Sequence, residues 1–257
     1  NQPQIAEEIL KMGQADMCGM TRALISDPMM PRKAANGDLD DIRACVACNQ
    51  ACIGHMLNAC SISCIQRPET GRELQYANIS KTKLKKSILV AGGGPAGVKA
   101  ACIAADRGHR VTLCEKSNSL GGQINLAQSL PGRAEFGGII TNLNKELTKT
   151  TVCVRFNSFV DLDLIEELAP DVVIAATGAT PYMPEIQGAE EAHVVNAWQV
   201  LEGKTNVGGS VVIADWRCDW VGLGLAELLV KQGCHIRLAV NGMVAGQNIP
   251  QYARDAW

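Results

Sequence analysis

Four cysteines carry the first chemistry that the sequence offers. They are spaced Cys45-x2-Cys48-x3-Cys52-x11-Cys64, which places three thiolates in one loop and brings a fourth from beyond it. Thiolates delivered in this way suit the four corner irons of a [4Fe-4S] cubane. A structural zinc site is the rival, but a four-cysteine zinc site usually pairs two C-x2-C knuckles and the second knuckle is missing. Spacing alone leaves the fourth ligand open between Cys60 and Cys64. His55 lies nearby, yet a lone loop histidine is more often hydrogen-bonded or solvated than a ligand. Cys18, Cys102, Cys114, Cys153, Cys218 and Cys234 fall in apolar strands, helices or isolated loops and read as inert small residues.

A second constellation follows. Gly92-Gly93-Gly94-Pro95-Ala96-Gly97 fits G-x-G-x-x-G between an apolar strand, Ser87 to Ala91, and a helix expected from Pro95 to Asp106. Gly92 permits the tight turn, Gly94 lets backbone approach a pyrophosphate, and Gly97 allows helix to pack closely on strand. The helix start at Pro95 and Ala96 adds partial positive charge. Glu115, with Lys116 beside it, ends the next strand, where a carboxylate accepts from ribose hydroxyls. Gly121-Gly122-Gln123 and Thr177-Gly178 could line the same cofactor or serve plain turns. The expected ligand is an ADP-containing dinucleotide.

A later unit departs from this pattern. After the strand Ser210 to Ala214, the positions of a phosphate loop hold Asp215, Trp216, Arg217, Cys218, Asp219 and Trp220. Side chains would fill the space of a pyrophosphate and two carboxylates would oppose its charge, so nicotinamide nucleotide binding is not expected there. Gly222 and Gly224 come too late after the strand to form that loop and are expected to let the helix pack closely.

The elements that must position these residues read as α/β. A helix near Ile5 to Leu10, a buried strand at Ala15 to Met20 and a loop from Thr21 to Pro28 would match the last unit of a β/α barrel. From about Pro31 to Lys83 there is little periodicity, and the cysteines are the expected organiser. A βαβ unit follows, with strands at Ser87 to Ala91 and Arg110 to Cys114. Gly132 to Leu147 reads as helix, Thr151 to Arg155 as strand, and Asp171 to Ala176 as a buried parallel strand. The last unit has a strand over Ser210 to Ala214, a helix over Leu223 to Gln232 and a strand over His235 to Val240. The expected divisions are 1–38 for a barrel end, 39–83 for a [4Fe-4S] segment, 84–205 for a Rossmann-like FAD/ADP-binding domain, and 206–257 for the start of a degenerate NAD(P)-type domain.

Composition narrows the class. The 257 residues are 47% hydrophobic, enough for a sizeable core, and 24 basic against 26 acidic residues give a net charge of −2 without long runs. No footprint for nucleic acid or an anionic membrane is present. No signal peptide and no spanning apolar run is read, so a cytoplasmic, reducing location is expected. The chain opens without Met inside a helix-like segment and closes in another, Gln251 to Trp257, and is expected to be an internal fragment.

Taken in order, these features resemble the C-terminal part of the trimethylamine dehydrogenase and 2,4-dienoyl-CoA reductase family, the iron-sulfur branch related to Old Yellow Enzyme. The resemblance spans nearly the whole chain. It is carried by Gly19-Met20-Thr21-Arg22-x4-Asp27-Pro28, by Cys45 and Cys48-Asn49-Gln50-x-Cys52 with Cys64, by Gly92 to Gly97, by Leu120-Gly121-Gly122-Gln123 and by Ala176-Thr177-Gly178-x-x-Pro181. It implies FMN in a barrel with Thr21 and Arg22 at its phosphate, Cys64 as the fourth cluster ligand, and FAD or ADP at the glycine loop. The stretch Ala214 to Trp220 is similar to the N-methylproline demethylase-like and dimethylglycine dehydrogenase-like members.

Three functions follow as expectations. The first is oxidation of a small N-methylated amine at FMN, with electrons leaving through the cluster to an external acceptor such as an electron-transfer flavoprotein. The second is an NAD(P)H-dependent dienoyl-CoA or enoate reductase. The third is a non-enzymatic electron-transfer module, because none of these residues is a convincing substrate acid or base. Catalytic residues are expected in an upstream barrel, and the full-length protein is expected to be a homo-oligomer.

Overall fold

The computed structural model describes residues 2–76 and 78–249; the helix expected over Gln251 to Trp257 lies outside the described residues. The chain divides into two compact units, Asn1–Ile124 with Glu135–Gly178, and Asn125–Ala134 with Ala179–Trp257. In chain order the helices are α1 (Pro3–Lys11), α2 (Thr21–Ser26), α3 (Met30–Asn36), α4 (Ile53–Leu57), α5 (Glu73–Tyr76), α6 (Pro95–Asp106), α7 (Ile124–Ala127), α8 (Gly137–Thr148), α9 (Leu162–Leu168), α10 (Ala197–Leu201) and α11 (Trp220–Lys231). No helix of the described residues is long and apolar enough to cross a membrane.

The first unit is built on a parallel sheet of β1 (Ser87–Ala91), β2 (Arg110–Cys114), β3 (Cys153–Arg155) and β4 (Val172–Ala175), in the order β3-β2-β1-β4. β1 is central because its Ile88-Leu89-Val90-Ala91 run is apolar on both faces, and Leu89 and Val90 are fully buried. The pairing sets Ala91 level with Cys114 on one side and Ala175 on the other, so three strands end together beside the glycine loop. Helix α6 covers the sheet with a face of small residues, Gly97, Ala101, Cys102 and Ala104. Its bounds are those expected from the sequence. Cys102 and Cys114 are buried core residues, whereas Cys153 lies exposed on the short edge strand β3.

Three expectations are corrected here. Strand β4 is not buried on both faces: it is an edge strand whose burial alternates, with Val173 41% exposed. Residues 15–20 form no strand, since among the described residues no neighbour pairs with them, and Met17 is 86% exposed. The loop expected over Thr21 to Pro28 instead winds α2.

Short elements replace periodic ones between α2 and β1, and buried polar side chains fix them. Asp27, 4% exposed, accepts from the Met29 amide at 3.1 Å, the Lys33 ammonium at 2.6 Å and the Arg43 amide at 2.9 Å. The Ser26 hydroxyl donates to the Arg43 carbonyl, and the Thr70 hydroxyl to the Ile25 carbonyl, both at 3.1 Å. Ala23, Met30 and Ile42 close a small apolar cluster.

The second unit pairs β5 (Ser210–Asp215) and β6 (His235–Val240) in parallel, with α11 between them in sequence. Its core is Leu130, Ile213, Leu225, Leu229 and Cys234. Helix α11 starts earlier than expected because Asp219 caps it, accepting from the Val221 amide at 2.9 Å.

Burial alone would raise the Asp27 carboxyl, but the Lys33 ammonium and the Arg43 and Met29 amides outweigh it and hold it below its ordinary value. A depressed carboxylate contributes stability above its unfolded pKa and loses it as pH falls through the folded one. Asp27→Asn should therefore cost about 1.5–3 kcal/mol at pH 7, the range for a hydrogen bond to a charged group, and progressively less below about pH 4. Thermal unfolding of both proteins at pH 7 and pH 3 checks this, and equal stability at pH 7 would refute it.

Candidate cofactor sites

The cysteine loop turns on two residues held left-handed, Ala47 at φ 52° and Asn49 at φ 55°. Non-glycine residues adopt this region rarely, asparagine most readily. The turns bring Cys45, Cys48, Cys52 and Cys64 onto the wall of one small apolar hollow, which Arg22, Asn49 and Gln66 also line. The Ala47 amide donates to Cys45 Sγ at 3.4 Å. Burial pushes the Cys48 thiol up, and the nearby Cys52, Cys64 and Cys45 push it further, against a bond from the Gln50 amide. Thiols crowded in this way favour the protonated form until a cation compensates them.

Cys60, left open by spacing, is exposed and turns its thiol to the Asn58 carbonyl. His55 Nδ1 lies 3.0 Å from the Ser61 carbonyl oxygen, a backbone partner. Among the described residues no group of three His, Cys, Asp or Glu is arranged for a single metal ion. The four thiols share a wall, and their donor set fits a cluster that takes one thiolate per iron.

Thr21 and Arg22 begin α2 but line different hollows. Arg22 faces the cysteines and donates to Asn49 Oδ1 at 2.6 Å, whereas Thr21 lines an open hollow with Leu24, Arg67 and Thr70. A guanidinium carries five donors, so the Asn49 bond does not exhaust its capacity for a phosphate oxygen.

The glycine loop converges with the other candidate segments of its unit. Gly92 has φ 108°, and a Cβ there would lie 2.4 Å from the Ala176 carbonyl oxygen. A Cβ on Gly97 would lie 1.9 Å from the Gly92 carbonyl oxygen, so helix, loop and strand meet without room for a methyl group. Gly94 is the opposite case: it caps α6, and nothing lies within 4 Å of its missing Cβ. Around that opening, a Cβ on Gly122 would lie 3.3 Å from the Gly94 Cα, and one on Gly178 would lie 3.1 Å from Gln123 Nε2. Thr177 lies beside the Gly92 turn, and Pro95 and Ala96 open α6. The arrangement is a backbone-lined cradle at a helix start, which suits a pyrophosphate.

Glu115 serves this loop in a way the sequence reading missed. Its Oε2 accepts from the Gly93 amide at 2.6 Å, and its Oε1 accepts from both the amide and the hydroxyl of Ser117 at 2.8 Å. Burial alone would raise this carboxyl; the Ser117 and Gly93 donors, aided by Lys116, hold it low instead. The signal available was the serine two residues on, a local acceptor-turn pattern.

In the second unit the loop before α11 is closed by its own side chains. Asp215 is buried, its Oδ1 accepts from the Cys218 amide at 2.9 Å, and its Oδ2 finds no hydrogen-bond partner. A Cβ on Gly222 would lie 2.5 Å from that Oδ2, and one on Gly224 would lie 3.3 Å from Leu130. The two glycines thus serve packing, as expected. Burial raises the Asp215 carboxyl, and the nearby Asp219 adds to the rise.

Residues 86–213 match the family model described as pyridine nucleotide-disulphide oxidoreductase. The chain is 39% identical to the NADH oxidase of Thermoanaerobacter brockii over 92% of its own length and 37% of that protein's. It is 34% identical to the N,N-dimethylglycine/sarcosine dehydrogenase of Chromohalobacter salexigens, over 99% of this chain and 39% of that one. A solved structure of 2-naphthoyl-CoA reductase with 2-naphthoyl-CoA superposes with a TM-score of 0.92 at 32% identity, covering 99% of this chain and 38% of that one. The chain thus spans less than two fifths of these relatives' lengths.

The two glycines whose surroundings differ most provide a test. Gly97→Ala should lower thermal stability markedly, since backbone must shift to admit the methyl group. Gly94→Ala should lose bound adenine nucleotide, measured by chromatography of the denatured protein, and should unfold at the temperature of nucleotide-free wild type. Retention of full nucleotide content in Gly94→Ala would remove the cradle from that loop.

Proposed function

We propose, from a chain that belongs to the trimethylamine dehydrogenase and 2,4-dienoyl-CoA reductase family and corresponds to its C-terminal part, that the complete protein is a flavin-dependent dehydrogenase or demethylase of a small N-methylated amine. In this reading Cys45, Cys48, Cys52 and Cys64 hold a [4Fe-4S] cluster, Thr21 and Arg22 lie at the phosphate of a barrel-bound FMN, and the cradle at Gly94, Gly122 and Gly178 holds FAD or ADP. When bound, these groups supply hydride acceptance from an N-methyl carbon and single-electron transfer onward. The chain's own residues bind and orient them. Residues 1–38 then complete a barrel, 39–83 carry the cluster, 84–205 bind the adenine nucleotide, and 206–257 begin a second nucleotide-type domain that no longer binds one.

The observation that carries the direction of electron flow is the loop of Asp215 to Asp219. Asp219 already caps the start of α11, where a pyrophosphate would gain its amide bonds, and Asp215 is folded in beside it. A nucleotide there would have to displace one carboxylate and approach another, against electrostatic repulsion. That supports oxidation of substrate and exit of electrons to an external acceptor, for example an electron-transfer flavoprotein. The dimethylglycine/sarcosine dehydrogenase relative agrees with this reading. A homo-oligomer is part of the proposal.

A second reading is favoured by a specific observation. The NADH oxidase relative is 39% identical, and 2-naphthoyl-CoA reductase shares the fold at a TM-score of 0.92, so the reverse direction, with NAD(P)H as donor, has support of its own. Anaerobic mixing of the complete protein separates the two. Bleaching of flavin absorbance by dimethylglycine, sarcosine or a related methylamine, with none by NADH or NADPH, is expected. Bleaching by a nicotinamide nucleotide alone would replace the amine reading with the reductase one.

A further inference from the structure

One face of α8 grips both ends of the cysteine loop. Asn142 and Glu146 are four residues apart on that helix and therefore share a face. Asn142 Nδ2 donates to Gln66 Oε1 at 3.1 Å, and Gln66, two residues past Cys64, donates in turn to the Ala44 carbonyl at 2.8 Å. Glu146 pairs with Arg43, two residues before Cys45, and through its other oxygen with Lys99 at 2.8 Å. These three charged side chains are only 19 to 26% exposed, so water screens them weakly. A Cβ on Gly138, one turn earlier, would touch Val46 at 3.5 Å. Arg43 stands two residues before Cys45, and Gln66, which holds the intervening Ala44 carbonyl, itself lines the hollow of the cysteines, so the cation lies beside the cysteine wall. A guanidinium carries its charge throughout the ordinary pH range.

We infer that Arg43 is a positioning residue whose buried charge raises the reduction potential of the cluster held by Cys45, Cys48, Cys52 and Cys64, and that Glu146 tempers it. The inference rests on the cluster reading above. A cluster ligated by four thiolates is anionic and gains one further negative charge on reduction. Net charge nearby is among the levers that set its potential. A cation at Arg43 stabilises the reduced form, and a carboxylate that pairs with it offsets part of that effect. Lys99 shares the same carboxylate and belongs to α6, the helix that starts at the nucleotide cradle, so one acidic group ties the cluster loop to the nucleotide-binding helix.

The test is an EPR-monitored redox titration of the complete protein, with iron per chain measured alongside. Arg43→Gln should make the cluster harder to reduce, changing the reduced-to-oxidised ratio at a fixed ambient potential by about tenfold, which is ~59 mV for a one-electron couple. Glu146→Gln should shift the ratio in the opposite sense. Arg43→Lys should keep most of the wild-type value, and Asn142→Leu, which removes a bond but no charge, should leave it unchanged. An unaltered potential in Glu146→Gln, or an equal shift in Asn142→Leu, would overturn the inference. If Arg43→Gln loses its iron, the sign of the Glu146→Gln shift decides. A wild-type protein with no cluster signal would instead overturn the cluster reading itself.

Discussion

A loop that carries four cysteines but little periodic apolar pattern cannot fold on its own burial, and everything at the cysteine site depends on how this one is pinned. The pins are polar and buried. Asp27, Gln66 and Thr70 are each less than a tenth exposed and each bonds backbone or side chains of another segment. Buried polar groups of this kind are tolerable only when satisfied, and once satisfied they specify one arrangement over many. The loop's shape is therefore dictated by a carboxylate, an amide and a hydroxyl, and the apolar cluster of Ala23, Met30 and Ile42 only closes the space around them.

The two strand-loop-helix units illustrate how the same topology can be opened or shut at one turn. In the first, backbone alone makes the turn, because glycines at Gly92 and Gly97 let the loop and α6 press against β4, and Gly94 is left facing open space. The carboxylate that belongs to this turn, Glu115, lies at the end of the neighbouring strand and braces the loop from behind. In the second unit the carboxylate ends the strand itself. Asp215 bends over Gly222 and takes the Cys218 amide, and Cys218 must adopt φ 51° to offer it. One turn is braced by a carboxylate from the neighbouring strand and stays open at Gly94; the other is filled by its own side chains.

Much of this was legible in the sequence, for reasons that can be named. Pro95 to Asp106 and His235 to Val240 fall where pattern places them, because a glycine turn or a glycine and its neighbours mark each boundary. The strand at 15–20 was misread because an apolar stretch signals burial only where a partner exists to hydrogen-bond it. The helix α2 was missed because its six residues are too few to show a period, and it is held by contacts from Arg43 and Thr70 that lie far along the chain. The same limit hid Arg43, Glu146 and Gln66. Arg43 and Gln66 lie two residues from Cys45 and Cys64 but read as ordinary polar residues, and only the fold brings Glu146 and Asn142 of α8 to them.

The carboxyl of Asp215 is buried without full compensation. Its Oδ2 has no donor, and burial together with Asp219 raises it, the reverse of what occurs at Glu115, where donors from Ser117 and Gly93 prevail over burial. An acid whose folded pKa lies above its unfolded one detracts from stability at neutral pH, and the penalty is relieved as pH falls. A group of that kind persists where something other than stability maintains it. Closing the anion-binding start of α11 is such a reason, since a neutral or charged Asp215 fills the turn equally well and Asp219 satisfies the helix amide in either state. The turn is thus filled by its own carboxylates, Asp215 folded over Gly222 and Asp219 on the Val221 amide at the start of α11.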